Sequence, residues 1–345
     1  MGDKIAFLAL GAFNCSMMAK IDRQSNGQRE IEFWDIDQEV MEHFEKHHVH
    51  PYHFQDIAFS DNVHPADSIS GLLNGAGNLI VGVNAQSMRK AARTFGEYLS
   101  KDTIITSLSK GLELETGKRM SEVIREELDC ALVYDPKITV FSGGTVAQDI
   151  AYGRPVMAHV AGDDPITIDE VAELFHSTAV RVVPTTEMLS VEYCGALKNV
   201  VSIGGGICEE LYPGAEGTKA AFKIRTEFDI YKIAKALGAS DDIFLPGSPS
   251  FYGDSDLSCY GPTRNREYGQ RIGCGQDPKA ALKEMEQAHK TVEGYYTLKV
   301  AYELSQKLGL DTPCIEQLFQ VVHDGLSPER AVKNLMSRPR TSLNP

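Results

Sequence analysis

Lys198 and Asn199 interrupt a mostly apolar, helix-like run that extends from Glu192 to Val201. A buried lysine amine is a suitable general acid or base, because it can exchange a proton with a substrate oxygen. It can equally be a structural lysine whose charge is satisfied by a neighbour. The residues alone leave these two interpretations open.

The segment Thr263-Arg264-Asn265-Arg266 follows Asp254 closely and offers donors for an anion. The chain of 345 residues carries 34 basic and 48 acidic residues, a formal charge of -14. Such a field repels nucleic acid and anionic membrane surfaces, so we expect neither as a partner, and an anionic substrate needs a local basic pocket. Arginine presents a planar donor fork to phosphate. This segment could be a solvated basic patch, but its pattern favours a phosphate site.

The chain begins with a pattern typical of strand, tight turn and helix. Ala9, Gly11 and Asn14 stand where a dinucleotide-binding loop has the glycines of G-x-G-x-x-G. The helix N-terminus can still offer N–H groups to a phosphate. Asp35 ends the second predicted strand, where an acidic residue binds a ribose 2'-hydroxyl and favours NAD over NADP. A plain strand-turn-helix without a ligand fits the same residues.

Histidine and cysteine give no clear metal pattern. Residues His47, His48, His50 and His53 cluster irregularly around Pro51, which favours a surface loop over a metal site, and we expect no bound metal. The seven cysteines are scattered and include no C-x-x-C pair, which argues against a disulfide scaffold or zinc ribbon and indicates a reducing, cytoplasmic setting. The apolar run Ile5 to Phe13 is too short to span a membrane and is interpreted as a buried strand.

Five apolar runs predict strands at 4–10, 29–35, 78–83, 103–108 and 138–141. Each of these runs is followed by helix-length sequence. This alternation predicts an α/β fold with a mostly parallel sheet and helices on both faces, whose ligands bind at the carboxyl ends of the strands. From about Ser190 the pattern becomes helical, with long amphipathic stretches over 219–237, 278–308 and 315–324. The Gly/Pro/Ser-rich segment 245–261 is predicted to be a functional loop.

Several motifs in register resemble the NAD(P)-dependent glycerol-3-phosphate dehydrogenases. The resemblance rests on Val191 to Ile207, with the core Gly-Ala-Leu-Lys-Asn-Val, on 217–221, 253–259, 264–266 and 291–294, and on Ser109-Lys110-Gly111 and Ser142 to Ala147 in the first half. It covers nearly the whole chain.

The resemblance implies an N-terminal Rossmann-like doubly wound sheet over 1–190 and a C-terminal all-helical substrate and catalytic domain over 191–345, with an active site in the cleft between them. It implies an oxidoreductase that transfers hydride reversibly between NAD(H) and C2 of sn-glycerol 3-phosphate, giving dihydroxyacetone phosphate. The partner is then a small phosphorylated substrate, and a cytoplasmic homodimer is expected.

The resemblance also assigns residues. Catalytic roles fall on Lys198, which exchanges the proton, on Lys110 and on Asp254. Substrate-binding positions are Gly143, Thr145, Asn199, Thr263, Arg264 and Asn265. Cofactor-binding positions are Gly11, Ala12, Phe13, Asn14, Asp35, Lys110, Ala147, Arg264, Thr291 and Glu293.

The chain departs from the family mostly on the cofactor side. Ala9 and Asn14 replace the first and third glycines, Asn84 stands where the family usually has proline, and Thr226 to Asp229 replaces a glycine-leucine run. We expect the Ala9 side chain to cost little in a strand and the Asn14 side chain to crowd the helix or the pyrophosphate site. Two alternatives therefore stay open: a dehydrogenase of another phosphorylated or phosphonate hydroxy-substrate, and a phosphate-ester-binding protein without NAD chemistry.

Overall fold

The computed structural model describes residues 4–129, 134–288 and 290–339. Its contacts divide the chain into two units. Unit 1 comprises Met1–Glu113 and Lys118–Glu192, and unit 2 comprises Leu114–Gly117 and Tyr193–Pro345. Cys130 lies outside the described residues.

Unit 1 is built on one sheet of eight strands. The strands are β1 (Lys4–Leu8), β2 (Ile31–Trp34), β3 (Val63–Pro65), β4 (Ala76–Val81), β5 (Ile104–Ser107), β6 (Lys137–Ser142), β7 (Val156–Gly162) and β8 (Val180–Thr185). Their order is β3-β2-β1-β4-β5-β6-β7-β8. Neighbours pair in parallel, except β6 and β7, which are antiparallel. The predicted α/β class with a mostly parallel sheet is confirmed.

Helices cover both faces of this sheet. They are α1 (Ala12–Gln24), α2 (Gln38–His47), α3 (Ile69–Leu73), α4 (Met88–Gly96), α5 (Met120–Asp129), α6 (Ala147–Ala151) and α7 (Pro165–Phe175). Successive residues of a strand point to opposite faces. In β1, Ile5 and Phe7 accordingly join the apolar core beneath α1, while Ala6 and Leu8 join the core beneath α4. β1 is therefore buried on both sides, as its unbroken apolar run predicts.

The sheet reverses its winding direction between β1 and β4. β1 pairs with β2 on one side and with β4 on the other, so the connections after β1 and β4 leave in opposite directions. In parallel α/β sheets, ligands bind at the carboxyl ends of the strands at such a switch point. The turn after β1 lies at this place.

All five predicted strands are present, and three further strands were missed. β3 is only three residues long, and both β3 and β8 contain a proline, Pro65 and Pro184. Proline cannot donate to a sheet, so it is confined to edges, and β3 and β8 are the two edge strands. β7 carries His159 and small residues, so its sequence lacks a continuous apolar run.

The helical prediction for the second half is confirmed, with two corrections. The helices are α8 (Met188–Leu211), α9 (Glu216–Ala236), α10 (Asp254–Tyr260), α11 (Arg264–Gly273), α12 (Pro278–Gln287), α13 (Glu293–Lys307), α14 (Pro313–His323) and α15 (Pro328–Met336). The predicted loop 245–261 is wrong over most of its length, since a π-helical turn, Pro249–Gly253, leads directly into α10. The Ser248 hydroxyl caps that turn by accepting from Phe251 N. The predicted helix 278–308 is two helices, α12 and α13.

The expected surface loop of histidines is also wrong for two members, since His47 is the last residue of α2 and His50 is buried. His50 is 1% exposed, and its ring bonds to main-chain groups. Among the residues that the structure describes, no group of three or more His, Cys, Asp or Glu side chains could hold a metal ion. None of the described helices is both long and apolar enough to cross a bilayer.

Ala9 has a left-handed backbone with φ of 67°, a conformation that costs a residue with a side chain about 1–2 kcal/mol. We predict that Ala9→Gly raises the free energy of unfolding of unit 1 by about 0.5–1 kcal/mol, since relief of this cost exceeds the added entropy of the unfolded glycine. Urea unfolding followed by Trp34 fluorescence measures it, because Trp34 is the single tryptophan and lies in unit 1.

Gly153 is the matched control, with φ of 69° and open space around the position of a Cβ atom. Gly153→Ala is expected to lower the same free energy by about 1 kcal/mol. Equal stability of wild type and Ala9→Gly would contradict the strain at Ala9.

Candidate functional site

The turn after β1 is held by a side chain where a dinucleotide loop usually has glycine. The Asn14 amide nitrogen donates to Leu8 O at 3.1 Å and to Ala9 O at 2.6 Å, and Asn14 is 1% exposed. Ala9 N donates to Trp34 O of β2. The expectation that a side chain at Ala9 costs little is wrong, because Ala9 lies past the end of β1 with positive φ.

Gly82 provides the space that Asn14 occupies. A Cβ atom at Gly82, just after β4, would overlap the Asn14 amide group. The expected crowding of α1 by the Asn14 side chain is therefore avoided, because Gly82 has no side chain in that space. Gly82 was missed at the sequence level, although its position inside an apolar strand pattern is a signal of close approach.

No other part of the fold occupies the space beside the Gly11 Cα atom. Its φ is -64°, which any residue adopts, and a Cβ atom there would meet nothing within 4 Å. It precedes Ala12 and Phe13 at the N-terminus of α1, where unpaired N–H groups and the helix dipole favour an anion. This open helix end fits a dinucleotide pyrophosphate.

A cleft of about 610 Å³ lies along the carboxyl ends of β1, β2 and β4. Gly11, Asp35 and Val83 are among the residues that line it. The Asp35 carboxylate accepts from Leu10 N at 2.6 Å through Oδ2 and from Asp37 N at 2.9 Å through Oδ1. Asp35 thus fixes the turn and remains in the cleft wall, beside the place where a ribose would lie.

Lys110 and Gly143 are brought together in unit 1. Lys110 Nζ donates to Gly143 O at 2.7 Å, and Thr145 N donates to the same oxygen at 2.8 Å. A Cβ atom at Gly143 would lie 2.6 Å from Ala158 Cα, so only glycine fits there. Ala147 follows as the first residue of α6. These residues line the ends of β5 and β6.

Lys198 and Asp254 form an ion pair within unit 2. Lys198 Nζ lies 2.5 Å from Asp254 Oδ1, with exposed side-chain fractions of 15% and 0%. Lys198 projects from α8, and Asp254 begins α10. Burial and the Asp254 carboxylate raise the pKa of the Cys194 thiol well above its usual range, so Cys194 is an inert core residue. The Lys198 amine is therefore held by a buried carboxylate and is still partly accessible, as a proton-transferring group must be.

Close packing of α8 and α11 places the remaining donors. A Cβ atom at Gly206 would overlap Arg266 O, and one at Gly269 would overlap Ile203 O, so these glycines let the two backbones approach. Ser202 of α8 then bonds to the Thr263 hydroxyl at 2.6 Å. The three-glycine run 204–206 lets three helices approach α8, since Gly204 faces Phe222 of α9, Gly205 faces Cys259 of α10 and Gly206 faces α11.

A chain of amides fixes the orientation of Asn199. The Gly294 N–H can only donate, so the Asn265 atom that lies 2.9 Å from it is the acceptor Oδ1. Asn265 Nδ2 then donates to Asn199 Oδ1 at 2.9 Å. Asn199 Nδ2 remains a buried donor that finds no acceptor among the described residues. Asn199 therefore offers a donor one residue after Lys198.

Thr263 and Arg266 have structural tasks at the start of α11. The Thr263 hydroxyl accepts from Arg266 N at 3.2 Å and caps the helix. The guanidinium of Arg266 forms a two-bond pair with Glu209. Arg264 is exposed at the first helical position. The groups of this helix end that could hold an anion are therefore Arg264 and the first-turn N–H groups, including that of Asn265.

Thr291 is exposed and lies two residues before Glu293, the first residue of α13.

One buried polar cluster in unit 1 was missed at the sequence level. Glu192 accepts from Ser121 N at 2.9 Å and from Arg119 at 2.8 Å. Burial raises the pKa of Glu192, while Arg119 opposes that shift. Its position in the motif 191–207 was the available signal.

A doubly wound sheet with an open helix end at its switch point, followed by a helical unit with a buried Lys–Asp pair, defines a dinucleotide-binding protein of the two-unit dehydrogenase class. Two family models match the chain: the N-terminus of NAD-dependent glycerol-3-phosphate dehydrogenase over residues 4–167 and its C-terminus over 187–333. The chain belongs to the NAD-dependent glycerol-3-phosphate dehydrogenase family.

Relatives agree with this assignment, and a solved structure shares the fold. The chain is 31% identical over 335 residues to a glycerol-3-phosphate dehydrogenase [NAD(P)+] of Shewanella halifaxensis, covering 96% of each chain. It is 28% identical to the protein of the same name from Chlorobium phaeobacteroides, covering 99% of each. The fold matches the glycerol-3-phosphate dehydrogenase structure from Coxiella burnetii with a TM-score of 0.85 at 22% identity, covering 97% and 99%.

The contact between Asn14 and Gly82 can be tested by a double-mutant cycle. We predict that Gly82→Ala destabilises unit 1 by about 1–3 kcal/mol, the usual cost of overpacking. In an Asn14→Gly background the same substitution is expected to cost less than about 0.5 kcal/mol, because the overlapping amide is gone. Urea unfolding followed by Trp34 fluorescence gives all four free energies. Equal costs in the two backgrounds would show that Asn14 does not fill the space beside Gly82.

Proposed function

We propose that this protein is an NAD-dependent oxidoreductase that transfers hydride reversibly between NAD(H) and C2 of sn-glycerol 3-phosphate, with dihydroxyacetone phosphate as the ketone. Its family membership supports the reaction class. The observation that carries the proposal is the Lys198–Asp254 pair, a proton-exchanging amine held by a fully buried carboxylate. The residues 1–190 are proposed as the dinucleotide-binding domain and 191–345 as the substrate and catalytic domain.

The cofactor site is proposed at the switch point of the sheet. Gly11, Ala12, Phe13 and Asn14 would meet the pyrophosphate at the start of α1, and the Asp35 carboxylate would meet the ribose. A 2'-phosphate there would lie near this carboxylate, which favours NAD over NADP. Further proposed contacts are Lys110, Ala147, Arg264, Thr291 and Glu293. When bound, the nicotinamide supplies or accepts the hydride.

Lys198 is proposed to handle the proton. As hydride adds to C2 of the ketone, the Lys198 ammonium gives a proton to the C2 oxygen, and the neutral amine takes it back in the oxidation. Asp254 keeps the amine in place and balances its charge in the protonated state. Lys110, held by Gly143 O, is proposed to contact the substrate as a second cation.

The substrate phosphate is proposed to bind at the start of α11. Arg264 supplies the charge, and the Asn265 N–H belongs to a helix end that favours an anion. Thr263 contributes chiefly by capping this end, since its hydroxyl is already bonded to Ser202 and Arg266 N. Gly143, Thr145 and Asn199 complete the proposed substrate contacts. A cytoplasmic homodimer is proposed from the family alone.

We predict that Lys198→Met lowers kcat at least about 100-fold in both directions, the usual contribution of a positioned general acid. Lys223→Met is the matched control, because Lys223 forms a buried pair with Glu227 at 2.6 Å in the same unit but has no proposed role in the chemistry. Initial rates with NADH and dihydroxyacetone phosphate, and with NAD+ and sn-glycerol 3-phosphate, measure the two directions for both variants. Removal of one ion-pair partner costs stability, so each variant is first compared with wild type by circular dichroism.

If Lys198→Met retained the wild-type rate, the proposed proton transfer would be wrong. If the wild type itself turned over no phosphorylated ketone, the proposed reaction would be wrong.

A further inference from the structure

His50 is buried next to the turn that follows β1, and its hydrogen bonds define its tautomer. Tyr52 N and His53 N both donate to Nδ1, each at 3.1 Å, so Nδ1 carries no proton. The proton is then on Nε2, which donates to Leu10 O at 2.8 Å. His50 thus joins a turn of its own segment to the β1–α1 turn.

The Leu10 peptide is held from both ends. Its carbonyl oxygen accepts from His50, and its N–H donates to the Asp35 carboxylate at 2.6 Å. The neighbouring Ala9 has the strained left-handed conformation, and its carbonyl accepts from Asn14. Each peptide group between β1 and Gly11 therefore has a partner outside the turn.

We propose that His50 is a positioning residue for the cofactor: through Leu10 O it fixes the turn that aims Gly11 and the first N–H groups of α1 at the dinucleotide. This inference rests on the proposed function. Gly11 directly follows Leu10 and is the N-cap of α1, so rotation of the Leu10 carbonyl would move the backbone that meets the pyrophosphate. The family glycines that normally shape such a turn are replaced here at positions 9 and 14.

Burial keeps His50 in the neutral form that its Nδ1 acceptor needs. It lowers the pKa of His50 to about 4, with a smaller lowering by His53, while the Leu10 bond and the carboxylates of Asp35 and Asp37 oppose the shift. A neutral ring adds no charge to the site and retains one donor and one acceptor at neutral pH. The lowered pKa therefore preserves the Nδ1 acceptor near neutral pH, and the Nε2–H donor to Leu10 O is present in either protonation state.

The alternative is that His50 only stabilises its own turn through Nδ1. Two substitutions separate these roles. The side-chain amide of glutamine reaches about as far as Nε2, so His50→Gln can retain the bond to Leu10 O and lose the acceptor for Tyr52 N and His53 N. Asparagine is shorter, with its oxygen near the Nδ1 position, so His50→Asn retains the acceptor and loses the bond to Leu10.

The experiment measures NADH dissociation constants by titration calorimetry for wild type and both variants. It also measures the KM for NADH and kcat, with dihydroxyacetone phosphate held at a saturating concentration. His64→Asn is the matched control, because His64 is an exposed histidine on β3 in the same unit. Urea unfolding followed by Trp34 fluorescence reports whether each variant is folded.

We expect His50→Asn to weaken NADH binding and raise the KM for NADH about tenfold, with kcat at saturating NADH within about twofold of wild type, since one hydrogen bond that orients the binding backbone is lost. His50→Gln and His64→Asn are expected to bind NADH within about twofold of wild type. Wild-type binding by His50→Asn, or weakened binding by a folded His50→Gln, would overturn the role of His50. If His50→Asn did not fold, His50→Gln alone would decide. Failure of the wild type to bind NADH would instead overturn the proposed function, and this inference with it.

Discussion

In the turn after β1, the Asn14 amide donates to the carbonyl oxygens of Leu8 and Ala9, and the rest of the cofactor side depends on this contact. It allows a chain with alanine at position 9 to turn through a left-handed conformation directly after a buried strand. It also requires Gly82, directly after β4, because a side chain there would overlap the amide. The glycine that the loop lacks at position 14 is therefore compensated by a glycine that follows the neighbouring strand.

Unit 2 uses glycine in a more conventional way. Gly206 and Gly269 bring α8 and α11 into backbone contact, and this approach sets the start of α11 next to Ser202. In the same unit, the hydrogen bond from Gly294 N fixes the orientation of the Asn265 amide, which in turn fixes that of Asn199. A closely packed helix pair thus holds both the Lys198 amine, proposed to exchange the proton, and the helix end proposed to bind the substrate phosphate, as precise positioning in catalysis requires.

Much of the architecture could be predicted from the sequence, because buried parallel strands have unbroken apolar runs and β1 is the clearest example. The edge strands could not, since Pro65 and Pro184 conflict with strand patterns unless the edge position is known. The helical nature of 245–261 was hidden by glycine, proline and serine, which mark loops but also begin helices, as Ser248 and Pro249 do here. Local composition does not distinguish these two uses.

The candidate site was predicted through motifs, and the contacts between residues were not. The sequence places Lys198 and Asp254 56 positions apart, and only the packing of α8 with α10 makes them a pair. His50 and Gly82 carry no motif, because each acts through space on the β1–α1 turn. Asp35 was expected as a ribose-binding residue from its place after β2. Its bond to Leu10 N could not be predicted, because it depends on the geometry of a turn in which two family glycines are replaced.

The β1–α1 turn is proposed to be a working dinucleotide site. Titration calorimetry of wild type and Gly11→Ala with NADH and NADPH, each with and without dihydroxyacetone phosphate, decides this. We expect wild type to bind NADH more tightly than NADPH. We also expect Gly11→Ala to be as stable as wild type but to bind NADH at least about tenfold more weakly, because its Cβ atom enters space left for the ligand. Binding of dihydroxyacetone phosphate to wild type, with no binding of either nucleotide at millimolar concentration, would rule out a dinucleotide site and indicate a phosphate-ester-binding protein.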